Sequence, residues 1–144
     1  MNDPFELERF VVAQAPVYER VLSELRRGRK ESHWMWFVFP QIAGLGHSEL
    51  ARKFAITSRE EARAYLDHPI LGPRLHECTG AAVESPARSV SDLFGSPDDL
   101  KFRSSMTLFD AMAPQAIFGQ ALEKFFGGRG DEPTLRWLEH ARDP

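Results

Sequence analysis

The sequence predicts an all-α fold, a single compact multihelical domain over residues 1–144 with a buried aromatic-rich helix at its centre. Three observations carry that reading. Apolar residues recur at spacings of three and four over much of the chain, the pattern of helices with one buried face. Proline, glycine and small capping residues punctuate those runs where helices start and stop. The one stretch with the composition of a strand, "WMWFVF" at 34–39, has no second convincing strand to pair with.

Taken in order, "DPFELERFVVAQ" begins with Asp3 as a cap and Pro4 at the first helical position, where a missing N–H costs nothing. Phe5, Phe10, Val11, Gln14, Val17, Tyr18, Val21, Leu22 and Leu25 then follow one helical face. Pro16 either kinks this helix or begins a second, because it removes a hydrogen bond and clashes with the preceding turn. The run ends at "RRGRK", where Gly28 suits the left-handed position after a helix and the cations suit its C-terminus. The aromatic segment 34–39 is apolar in every direction, which fits a short helix enclosed on all sides.

In "AGLG" Gly44 and Gly46 permit a turn. That stretch lacks the longer glycine pattern and the lysine of a nucleotide-binding loop, and His47 after it reads as an exposed loop residue. Ser48 precedes "ELARKFAI", and Ser58 with Glu61 has the spacing of a capping box before "EARAYL". "DHP" closes that helix, since the residue before a proline resists the α conformation. "ILGPRLHECTGAAVES" resumes a helical pattern with Pro73 near its start, and Ser89 with Asp92 marks a short capped turn ending at Gly95. In "GSPDDLKFRSSMTLFDAM", Ser96 is the expected cap, Pro97 the first helical residue, and Asp98 and Asp99 the charges on the positive end of the dipole. Pro114 closes this helix, "QAIFGQALEKFF" stops at a glycine pair, and "DEPTLRWLEHA" forms the last.

Composition narrows the function classes. The chain is 42% hydrophobic and 27% charged, ordinary for a folded domain, and its 18 basic and 21 acidic side chains leave a net charge of −3. A nucleic-acid binder usually shows a basic excess, so no nucleic-acid partner is expected. Cys78 is the only cysteine, which fits a reducing compartment. The acidic start is unlike a signal peptide, and the longest apolar run, six residues, is far short of a membrane span. The expectation is a cytoplasmic protein with no membrane association. His33, His47, His68, His76 and His140 include no pair at a spacing of four, so neither a metal site nor a cofactor is expected.

Two segments carry candidate chemistry. In the first, His33 is an acid or base for neutral pH, Trp36 a flat surface for a base or sugar ring, and Gln41 both donor and acceptor. In the second, Asp99 and Arg103 lie four apart on one helix face, with Ser104, Ser105 and Thr107 following. The carboxylates there suit hydroxyls or a cation, and Arg103 suits an anionic group. The cluster Arg26, Arg27, Arg29 and Lys30 reads as a solvated helix end.

"RKESHWMWFVFPQIAGLG", "EARAYLDHPILGPRLHEC" and "FGSPDDLKFRSSMTLF" together resemble the bacterial family called domain of unknown function 1810, whose members are sometimes mislabelled calpastatin. The similarity runs from about Phe5 to the last helix. It implies a compact multihelical fold and supplies no catalytic residue.

Two functional readings follow. In one, the aromatic segment and the helix start at 98–104 lie side by side around a pocket for a small polar ligand, nucleotide- or sugar-like. Its candidate binding residues are His33, Trp36, Gln41, Asp99, Arg103 and Ser104. If such a pocket is catalytic, the chemistry is general acid–base hydrolysis with His33 or Asp99 as the proton carrier. The alternative is a non-catalytic helical module for protein interaction, whose mark is a large exposed apolar patch.

Overall fold

The computed structural model describes residues 2–141; Met1 and residues 142–144, which the single-domain expectation includes, lie outside the described residues. These form ten helices and no strand. In chain order they are α1 (Glu8–Gln14), α2 (Tyr18–Arg27), α3 (Met35–Val38), α4 (Glu49–Lys53), α5 (Arg59–Asp67), α6 (Leu71–Glu84), α7 (Val90–Phe94), α8 (Asp98–Met112), α9 (Ile117–Phe126) and α10 (Glu132–His140). The fold is all-α. A single parallel bridge, Ile42 to Ile56, is the one extended pairing among the described residues.

Local signals set most of the boundaries. Pro16 separates α1 from α2, and α2 ends at Gly28 in the left-handed conformation (φ 81°). Ser48, Ser58, Ser89 and Asp131 each accept the backbone N–H three residues on, satisfying a donor that the helix start leaves free. Three boundaries depart from expectation. Asp3 caps the N–H groups of Leu7 and Glu8, so α1 begins four residues later than the Pro4 start. Glu61 does not close a reciprocal box with Ser58, because its carboxylate is taken by Thr57 and Arg9. Ser96 caps nothing: Pro97 occupies the N-cap position and α8 begins at Asp98.

The core is assembled around α8 and α6. Helix α8 packs against α9, α5, α10, α7 and α3, and is buried continuously from Ser104 to Phe109. Its Ser104 and Thr107 hydroxyls donate to the Leu100 and Arg103 carbonyls, and Thr107 also accepts the Asp131 N–H at the start of α10. Small hydroxyls thus let α10 close on α8. Helix α6 packs on α2, α5 and α9. It meets the end of α5 at Gly72, where a Cβ would lie 2.1 Å from the Leu66 carbonyl oxygen.

The aromatic segment sits between these layers. Trp34, Met35, Val38 and Phe39 are buried, and Phe39 packs edge-on against Phe94 and Phe102. Only Met35–Val38 is helical, and Trp36 and Phe37 are half-buried on its outer side. The Phe37 carbonyl of the segment accepts from the Gln14 amide on α1, and Arg9 ties α1's approach to the end of α4, the α4–α5 turn and Glu61 through five oxygens.

Candidate functional site

The aromatic segment is positioned by a buried acid. Glu24 on α2 is 2% exposed and accepts from Glu31 N, Ser32 N, Ser32 Oγ and the Trp34 indole N–H. Burial opposes its charge, but the bonds from Ser32, Glu31 and Trp34 outweigh it and hold the carboxyl at about 2. The α2–α3 connection is therefore wrapped round one carboxylate. A second carboxylate, Asp98 in the first turn of α8, lies 2.9 Å from the Lys30 ammonium and 3.6 Å from that of Lys101. Each lysine also sits over an indole, Lys30 at 5.0 Å from Trp34 and Lys101 at 5.2 Å from Trp36.

This bridge separates two concavities. The first is an open cleft of about 790 Å³ between the end of α2, the 86–88 turn and α7. Its shape depends on Gly28, where a Cβ would lie 3.0 Å from Ala87 N and where φ is left-handed. The Lys30 N–H donates to the Leu93 carbonyl across its floor. Arg27, Arg29, Lys30 and Arg88 line it against one carboxylate, Asp92. Arg29 and Arg88 are exposed and make no ion pair among the described residues. The Lys30 side chain is only 7% exposed, so a cation is built into the wall with Asp98 as counter-charge.

The second is a crevice of about 10 Å³ lined by Met35, Trp36, Phe39, Gln41, Phe54 and Lys101, among others. That is room for about one water molecule. The Gln41 backbone carbonyl accepts from Ile56 N, while its side-chain amide makes no hydrogen bond among the described residues.

The six residues singled out in the sequence do not form one site. Trp36 and Gln41 share the crevice. His33 is exposed on the turn before α3. Asp99 accepts its neighbour Leu100 N–H and does not pair with Arg103. Arg103 points to the other side of α8, donating to the Arg129 carbonyl and covering the Phe126 ring at 5.3 Å. Ser104 is buried and bonded within its helix. The physical reason is helical phase: consecutive residues diverge by about 100°, so Asp98 and Lys101 face α3 while Asp99 and Arg103 face elsewhere. The spacing of Asp98 and Lys101 was the available signal. Lys30 likewise departs from a solvated helix end.

Groups with displaced proton affinities lie outside both concavities. Burial pushes the Cys78 thiol up to about 12, and pushes the Tyr18 and Tyr65 hydroxyls and the Asp110 carboxyl upward. Among the described residues no group of three histidine, cysteine or acidic side chains is placed to hold a metal. No helix among them is long and apolar enough to cross a membrane. The exposed large apolar residues Val12, Leu50, Ile70, Leu100 and Leu135 are spread over α1, α4, the α5–α6 turn, α8 and α10.

Comparison with known proteins adds architecture. A family profile described as "Protein of unknown function (DUF1810)" matches residues 4–138. The crystal structure of the conserved hypothetical protein Rv1873 from Mycobacterium tuberculosis is similar, with a TM-score of 0.90 and 56% identity over 95% of this chain and 99% of that one. No curated protein matches the sequence.

Proposed function

We propose a function from the geometry of this chain, which belongs to the family of proteins of unknown function DUF1810: it binds a small phosphate-bearing molecule in the cleft between α2 and α7. One observation carries the reading. Arg27, Arg29, Lys30 and Arg88 line a single open cleft in a chain whose net charge is −3; Arg27 pairs with Glu31 and Lys30 with Asp98, while Arg29 and Arg88 make no ion pair among the described residues. Long-range attraction to the whole molecule does not explain such a cluster, so its value is local. Guanidinium groups match phosphate oxygens in a bidentate fork, and the cleft has the size of a small-ligand site.

The reading is of binding and not of acid–base hydrolysis. The cleft lining contains no histidine, and none of the groups whose proton affinity the fold displaces lies in it. A buried lone thiol fits a reducing, cytoplasmic setting for such a ligand. The direct experiment is calorimetric titration with tripolyphosphate at low and high ionic strength. Saturable binding that weakens with salt is expected, as is its loss in the Arg29→Ala, Arg88→Ala double variant. Both residues are exposed, so folding survives the change. Absence of binding at low ionic strength would falsify the reading.

A further inference from the structure

We infer that Trp36 is a platform for a nucleobase, so that the phosphate-bearing ligand of the α2–α7 cleft is a nucleotide whose ring enters the crevice beside Gln41. The inference rests on the cleft reading and goes beyond it by naming the second half of the ligand.

Three observations combine. First, the cleft and the crevice are linked through one carboxylate. Asp98 holds Lys30, which lines the cleft, on one oxygen and Lys101, which lines the crevice, on the other. The two ammoniums are thus one carboxylate apart. Second, one of the side chains that line the crevice is the one that the ligand would attract. Lys101 covers the half-buried Trp36 ring at 5.2 Å. A phosphate chain arriving at Lys30 competes with Asp98 for both lysines, and Lys101 drawn toward it uncovers the indole. A base then replaces an ammonium on the same π-face, an exchange of cation–π contact for stacking. Third, Gln41 lines the crevice, and its side-chain donor and acceptor are both free of partners among the described residues. That pairing of groups reads the edge of a base. The present volume of about 10 Å³ is the closed state of such a site.

The test compares ATP with tripolyphosphate on the full chain, by calorimetry and by tryptophan fluorescence. Tripolyphosphate carries at least the charge of the nucleotide's phosphate chain, so Coulomb attraction alone gives ATP no advantage. The expected result is ATP binding about fivefold or more tightly, the lower end of what one base–aromatic stack contributes. Trp36→Leu should bring the ATP-to-tripolyphosphate ratio to about one, and Trp36→Phe should retain part of it. ATP should quench fluorescence in the parent and not in Trp36→Phe, since Trp34 is buried on Glu24 and Trp137, on α10, lines neither concavity. Equal affinities in the parent, or an ATP advantage that survives Trp36→Leu, overturn the ring subsite and leave the anion cleft standing. Failure of both ligands to bind removes the cleft and the subsite together.

Discussion

Glu24 and Asp98 hold the same stretch of chain, residues 30–36, from two sides and with different chemistry. Glu24 is satisfied by neutral donors, three of them within two adjacent residues and the fourth an indole. Asp98, whose side chain is 20% exposed, is satisfied by two ammoniums. Neutral donors fixed by a turn wrapped round one buried carboxylate lose their acceptor when Glu24 is removed, the Trp34 N–H most completely because it is buried. Ammoniums take one anion in place of another, and Lys101 and Asp98 are partly open to solvent. The contrast separates an acid that belongs to the fold from an acid that the proposed ligand would replace, though both sit beside a tryptophan.

The largest expected effect breaks the first member of the pair. Glu24→Ala leaves the Trp34 N–H and two backbone N–H groups without their acceptor. Bonds to a charged group are worth about 1.5–3 kcal/mol each and do not add fully, so a loss of about 3 kcal/mol or more is expected. A lowered urea midpoint at unchanged slope is the measurement. The same acid sets a pH dependence. Its folded value of about 2 lies below its ordinary 4.5. A depressed carboxyl contributes stability that is complete above 4.5 and drains away as pH falls from there to about 2. The amount is about 3 kcal/mol. Urea midpoints taken through that window should fall more steeply for the parent than for Glu24→Gln. Parallel curves would mean that Glu24 is no more structural than Asp98.

Asp98→Asn should separate stability from affinity. Lys30 loses its counter-charge while remaining almost wholly covered, which costs about 2 kcal/mol, less than the roughly 3–5 kcal/mol of a fully buried pair. Tripolyphosphate should nevertheless bind several-fold more tightly, because the internal competitor for both lysines is gone. Denaturant melts and titrations on one preparation read both quantities. If affinity falls together with stability, Asp98 orients the lysines for the ligand and is not displaced by it.

The two acids also mark the boundary of what could be read from sequence. Caps at Ser48, Ser58, Ser89 and Asp131, and the stops at Gly28 and Gly127, are local devices in which a residue acts on its neighbours three or four positions away. Their residue types announce them. Glu24 gave a fainter sign, an acid beside the apolar face of Val21, Leu22 and Leu25 that needed a partner. The cleft gave none. Arg29 and Arg88 line the same α2–α7 cleft because α6 carries the chain back, and only the packed helices bring them to it. Asp99 lies apart from the lysine pair that Asp98 joins for a related reason. Adjacent residues on a helix face different directions, and which direction is occupied by α3 is a tertiary fact.

The smallest expected effect probes that difference on α8 itself. Arg103 shares the helix with Asp98 and Lys101 but lies against the end of α9 and the α9–α10 connection, with its Nε 3.0 Å from the Arg129 carbonyl and its guanidinium over Phe126. Arg103→Ala removes one hydrogen bond at an exposed position and one cation–π contact, together under about 1 kcal/mol. Neither contact touches Lys30, Lys101 or Trp36. Stability should therefore drop slightly, while tripolyphosphate and ATP affinities stay at the parent values. A large fall in either affinity would place the anion on the α8–α10 side. Asp98 would then be an ordinary surface partner of two lysines, with no ligand to displace it.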